Sequence, residues 1–251
     1  MEQRRSGPLA YPHGMTSGPV TIERRDHVLV AHLDDGKANA LSTTMIRAIE
    51  SALDEAEADE SVAALVLHGR PGKFCAGFDL DVMRGGDWSA VAALVSDGGA
   101  LVQRLYGSSV PVVAACTGHA LAAGALLLLG CDLRIGADVE CKIGLNEVAI
   151  GMVLPAWAMT ISVERLSKRH LQRAVATAEV TDGRGAVEAG FLDRVVPEAD
   201  VLETAVAAAA QMSALHRSAY AGTVRSLRGA TLDLMAQQVA ADRSNGNVPT
   251  V

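Results

Sequence analysis

Apolar positions fall into short runs separated by glycine, proline and acidic residues, and the spacing inside each run separates strands from helices. Residues 20–24 and 27–33 have strand length and are joined by Arg25-Asp26; Asp34-Asp35-Gly36 ends the second. The period then changes. Met45, Ile49 and Leu53 share one face of a helix over 43–58, with Ser42 at its N-cap and the acidic stretch 54–60 as its solvated end. Residues 62–68, with the β-branched and long aliphatic Val62, Leu65, Val66 and Leu67, predict a strong strand. A glycine-studded loop, 69–80, follows. Helical spacing returns over 90–106, where Gly98-Gly99 predicts a kink. Residues 110–116 predict another buried strand, with Pro111 tolerated near its start. A turn of small residues over 118–124 leads into a helix, 122–129, that is apolar all round and therefore buried. Residues 131–136 predict the next strand.

Later signals come mostly from caps. Ser167 starts a helix running to 177, and Asp182 starts one ending at 189. Residues 191–196 form a last strand stopped by Pro197. Residues 200–215 are alanine-rich and helical, 218–240 are helical with a break near Gly229, and 241–251 form a frayed tail. The succession of strands and helices predicts an α/β fold made of ββα units. Residues 1–18, rich in Pro, Gly and Ser, predict a disordered leader. The chain thus divides into that leader, a core over 19–197 and a helical region over 198–251.

Composition narrows the function classes. Of the 251 residues 49% are hydrophobic but only 3% aromatic, so Ala, Val, Leu and Ile must fill the core. A net charge of -7 without a Lys/Arg cluster argues against nucleic acid. No apolar stretch is long enough for a membrane span, and the N-terminus lacks a signal-peptide pattern. Cys75, Cys116, Cys131 and Cys141 lack metal-site spacing and read as reduced, buried thiols of a cytoplasmic protein, with no metal expected. Neither a dinucleotide-binding fingerprint nor a P-loop is present.

The stretch 110–151 carries the chemistry. Strand, tight turn and helix start together point backbone N–H groups at an anion. Glu147 is a single carboxylate in a segment otherwise apolar or glycine, suited either to proton transfer or to capping a turn. In GRPGKFCAGFDL (69–80), Ala76-Gly77-Phe78 suits a tight bend, either purely structural or offering the Phe78 N–H to an oxyanion. Asp79 suits a helix cap. His68 and Asp132 read as structural, Asp138 and Glu140 as solvated.

KFCAGFDL (73–80), GHALAAGALLLLGCDLRIGAD (118–138) and IGLNEVAIG (143–151) resemble the enoyl-CoA hydratase/isomerase, or crotonase, family. KANAL (37–41) and the segment 186–196 support this, and the resemblance covers about 20–240. It implies a crotonase-like spiral of ββα units with a C-terminal helical region that mediates assembly into a homotrimer or a dimer of trimers. The substrate it implies is an acyl-CoA thioester. No cofactor is expected, because coenzyme A is part of the substrate. The thioester oxygen would sit between the N–H groups of Phe78 and Ala123. Ala123 stands where the family usually has glycine, and a left-handed conformation there would strain it. Lys37, Ala38 and Ala40 would meet the coenzyme, and Ala76, Asp79 and Leu80, in the loop around Phe78, would join them in binding the substrate. His119 lies in the oxyanion turn; Trp157 and Met152 would wall the acyl pocket.

The family's hydratases carry two glutamates. Here Glu147 matches one and Leu126 stands at the other position. Hydration shares water activation and C2 protonation between two carboxylates. Moving a double bond needs one base, and the leucine matches the family's mitochondrial-type Δ3,Δ2-enoyl-CoA isomerases. The expectation is an isomerase moving a 3-enoyl double bond to the trans-2 position. A hydratase, or an acyl-CoA-binding protein without turnover, are the alternatives.

Overall fold

The computed structural model describes residues 18–245. Residues 1–17 of the expected leader and 246–251 of the expected tail lie outside them. Strands β1 (Val20–Arg25) and β2 (Val28–Leu33) form an antiparallel pair, followed by helix α1 (Thr43–Ala58). The Ser42 hydroxyl accepts the Met45 N–H, as its cap position demands. Next come β3 (Ala64–His68), β4 (Gly72–Cys75), the short helix α2 (Leu80–Arg84) and α3 (Trp88–Tyr106). The next unit holds β5 (Val112–Cys116), β6 (Gly118–Leu121) and α4 (Ala123–Gly130). After these come β7 (Leu133–Ala137), β8 (Ile143–Gly144), α5 (Ala156–Arg165), α6 (Lys168–Val175), α7 (Gly183–Ala189) and β9 (Arg194–Val196). Helices α8 (Val201–Gln211) and α9 (Arg217–Asn245) complete the described chain.

Each middle unit sends one strand to a large sheet and the next to a small one. The large sheet has the order β1-β2-β3-β5-β7-β9, parallel except at β1; the small one, β4-β6-β8, is parallel throughout. This is the spiral of ββα units of the crotonase architecture, closed by helices. Strands β4 and β6 stand where the sequence predicts a loop and a turn. Both are four residues long and poor in β-branched residues, so local propensity does not announce them. Their pairing needs backbones to touch: a Cβ on Gly118 would lie 2.2 Å from the Gly72 carbonyl oxygen.

The core lies on both faces of the large sheet. One face packs against α1, α3, α4 and α5, and all eight residues of α4 are buried. Val28, Val30, Val66, Val113 and Ala115 on the other face meet Val201, Ala205 and Ala209 of α8. Helix α9 lies across α3 and α5 and contributes Met235 to the core. A polar clamp fixes its approach. Asp132 accepts the Val112 N–H, the Tyr220 hydroxyl and the Arg228 guanidinium, and Arg228 also donates to the Tyr106 carbonyl. All four cysteines are free and buried. Among the described residues no helix is long and apolar enough to cross a membrane, and no His/Cys/Asp/Glu cluster could hold a metal ion.

Two expected irregularities are absent. Helix α9 runs unbroken past Gly229 to Asn245, because its packing on α3 and α5 outweighs one unfavourable glycine. Helix α3 also continues through Gly98-Gly99, whose missing side chains leave room for two aromatic rings. Backbone strain falls instead on Ala122, the residue before α4, at φ 49° and ψ -120°. Replacing Ala122 by glycine should remove that strain. The expected gain is about 1 kcal/mol, or a rise of roughly 2–4 °C in melting temperature by calorimetry.

Candidate active site

Two turns from different units meet at one point. After β4, the Ala76 N–H donates to the Ala38 carbonyl, the Leu41 N–H to the Gly77 carbonyl, and the Asp79 N–H to the Leu41 carbonyl. These bonds hold the bend on either side of Phe78. Gly77, at φ 102°, allows the bend, and a Cβ there would lie 3.2 Å from the Leu121 carbonyl oxygen and 3.3 Å from the Ala122 Cβ. The Asp79 carboxylate accepts the Asp81 N–H and caps α2.

The second turn joins β6 to α4. The Ala122 N–H donates to the Gly144 carbonyl of β8, and the Ala122 carbonyl accepts the Leu126 N–H. Ala123 is the first residue of α4, so its N–H has no acceptor within the helix. The left-handed angle that would have troubled an alanine at 123 is carried by Ala122 instead. Among the described residues neither the Phe78 nor the Ala123 N–H makes a hydrogen bond. The Ala123 nitrogen is 4.0 Å from where a Gly77 Cβ would sit.

A cavity of about 230 Å³ opens beside these turns. Ala76, Gly77, Phe78 and Ala122 line it on the turn side, and Glu147 and Leu126 face into it. Leu80, Arg84 and Ile150 form an exposed mouth, and the inner end is closed by Val95, Leu126, Pro155 and Trp157. Glu147 follows the buried Leu145 after β8 and begins a 3-10 turn, Val148–Ile150. It is only 6% exposed, and among the described residues its Oε2 has no hydrogen-bond partner. Burial pushes its carboxyl up to about 7, opposed only by its own backbone N–H. Glu147 is the one carboxylate among the described residues lining the cavity.

Of the residues singled out from sequence, Ala76, Phe78, Leu80, Leu126, Glu147, Met152 and Trp157 line this cavity. Ala123 adjoins it through Ala122. Lys37, Ala38 and Ala40 lie in the neighbouring loop, joined to it by the Ala76–Ala38 hydrogen bond. Their amides largely point inward: the Asp35 carboxylate accepts the N–H groups of Lys37, Asn39 and Ala40. Burial opposes ionisation of Asp35, but those three donors prevail and hold it below its usual range. Arg70 and Lys73 both donate to the Lys37 carbonyl. His119 stays off the cavity lining, where its Nδ1 accepts the Lys142 N–H. Ala122, Asn146, Met83 and Val95 also line the cavity and were not singled out. Asn146 was within reach because it adjoins Glu147, whereas Met83 and Val95 carry only an ordinary core pattern.

The comparisons with known proteins converge. Residues 23–249 match the enoyl-CoA hydratase/isomerase family. Human mitochondrial enoyl-CoA delta isomerase 1 is 34% identical over 227 residues, covering 87% of this chain and 73% of its own. A putative enoyl-CoA hydratase of Thermus thermophilus is also 34% identical, over 77% of each chain. The crystal structure of an enoyl-CoA hydratase/isomerase family protein from Pseudomonas syringae superposes with a TM-score of 0.87 at 37% identity, covering 91% of this chain and 98% of that one. With two turns meeting beside a buried glutamate on a spiral of ββα units, this chain belongs to the enoyl-CoA hydratase/isomerase family.

Proposed function

We propose that this protein is an enoyl-CoA isomerase that moves a 3-enoyl double bond to the trans-2 position through a thioester enolate. Family membership supplies the coarser statement: the chain has isomerase or hydratase activity on enoyl-CoA thioesters. The finer reading rests on one observation, that Glu147 and Leu126 both line the cavity, without a second carboxylate among the described lining residues. The similarity to a human enoyl-CoA delta isomerase supports it.

Removing a proton from C2 puts negative charge on the thioester oxygen. The N–H groups of Phe78 and Ala123 are the donors in this reading, each worth about 3 kcal/mol in such a site. Glu147 takes the C2 proton, holds it, and returns it to C4. The apolar lining suits this cycle because it brings the acid close to neutrality and keeps out water that would compete for the intermediate. The open cavity with Glu147 on its wall speaks against the binding protein without turnover. The Thermus relative's name favours a hydratase as second reading. That reading must find a partner for water where Leu126 offers none. Assembly as a trimer belongs to the same proposal, supported by the exposed Leu227 and Leu234, seven residues apart on α9.

Product analysis separates the readings. Incubated with 3-enoyl-CoA and 2-enoyl-CoA separately, the protein should convert the first to the second and form little 3-hydroxyacyl-CoA; strong hydration overturns the isomerase. Glu147→Gln should lower kcat by on the order of a hundredfold or more, with KM little changed. Because the base must be ionised, kcat/KM of the wild type should rise with pH and level off above about 7.

Stability should run the opposite way. The raised carboxyl means that the folded state holds its proton to higher pH than the unfolded chain. The wild type therefore loses stability as pH rises from 4.5 through about 7. Glu147→Gln escapes that loss. It should be more stable than wild type at pH 8, by up to roughly 3 kcal/mol. The advantage should fade as pH falls and vanish below pH 4.5 in denaturant titrations.

A further inference from the structure

Gly98 and Gly99 stand side by side in the interior of α3, where each costs helix stability relative to alanine. Contacts explain both. A Cβ on Gly98 would lie 2.5 Å from Cε1 and 2.7 Å from Cζ of Phe78. A Cβ on Gly99 would lie 2.7, 2.8 and 2.9 Å from Cε2, Nε1 and Cδ2 of Trp157. Two rings therefore rest directly on the helix backbone in adjacent notches. Trp157 is fully buried at the start of α5, just after Pro155, and closes the inner end of the cavity with Val95 and Leu126. A ring backed by main chain has no room to retreat from a longer ligand.

We propose that Trp157, seated in the Gly99 notch, sets the acyl-chain length that the cavity admits, so that the substrates are 3-enoyl-CoA thioesters with short tails. The proposal deepens the isomerase reading and rests on it for the identity of the reaction. Gly99 is a positioning residue, acting through the depth at which the ring sits. It predicts two opposite effects. Shrinking the ring should lengthen the accepted chain. Filling the notch should push the ring toward the ligand and shorten it. General damage to the fold would lower activity on all chains alike.

The test measures kcat/KM for 3-enoyl-CoA substrates with hexenoyl, octenoyl and dodecenoyl chains, in the wild type, Trp157→Phe, Trp157→Leu and Gly99→Ala. Wild type should favour the hexenoyl chain over the dodecenoyl chain by at least about tenfold, the scale on which an apolar pocket discriminates. Trp157→Leu should reduce or reverse that ratio, Trp157→Phe should shift it the same way by less, and Gly99→Ala should steepen it. Dissociation constants for hexanoyl-CoA and dodecanoyl-CoA, measured by calorimetry, provide a readout that needs no turnover. If binding follows the same pattern while no 3-enoyl-CoA is isomerised, the reaction assignment fails and the chain-length gate stands. If isomerisation proceeds but the length profile is unchanged in all variants, or the wild type accepts all chains equally, the gate is overturned.

Discussion

The close approach of β4 and β6 governs the site. Their backbones come near enough that Gly118 cannot carry a side chain against Gly72, and Gly124, one residue into the turn of α4, meets the Cys75 carbonyl. This contact brings the bend after β4 against the turn after β6. The first bend supplies the free Phe78 N–H and the second the free Ala123 N–H. Joined, they offer two unpaired donors from segments more than forty residues apart in the chain. The hydrogen bonds around them, from Ala76 to Ala38, Leu41 to Gly77 and Ala122 to Gly144, fix the surrounding peptides and leave those two unspent. In the proposed reaction, such preorganisation supplies electrostatic stabilisation where charge develops.

The fold treats three of its acids, two of them half-buried and one buried, in contrasting ways. Asp132 and Asp35 are surrounded by donors: the first joins strand, tyrosine and arginine, and the second gathers three backbone amides. Both are structural knots, each carboxylate accepting three hydrogen bonds. Glu147 receives no such support from its neighbours, and a carboxyl oxygen left without a partner in an apolar wall is an unfavourable arrangement. The surrounding protein must over-determine it. The buried Leu145 before it, and the Ile150 and Met152 N–H groups bonded to its own carbonyl, do so through the backbone.

Local signals read well wherever one residue and its immediate neighbours decide the outcome. Helix α1 begins and ends where Ser42 and the apolar spacing put it, Asp79 and Asp182 cap as their positions suggest, and Glu147 stood out as a lone acid. The lost features depend on partners distant in sequence. Strands β4 and β6 exist because Gly72 pairs with Gly118, a relation that four-residue windows do not contain. Gly98-Gly99 resembled a kink because the rings that fill the notches come from residues 78 and 157. The cavity was legible only at its motif-bearing edge, since Met83 and Val95 carry nothing in sequence that separates a cavity wall from ordinary core.

Ala122 has one more meaning. The awkward peptide geometry needed to turn β6 into α4 is confined to this residue, and the donor after it is plain helix. In the proposed reaction the duty of bending and the duty of donating are thereby divided between neighbours. A position that only donates through its main chain places no demand on its side chain beyond smallness, so alanine can stand at 123 where a motif written around glycine would exclude it. Under that proposal, the freedom at the donor is the product of a specialist one residue earlier.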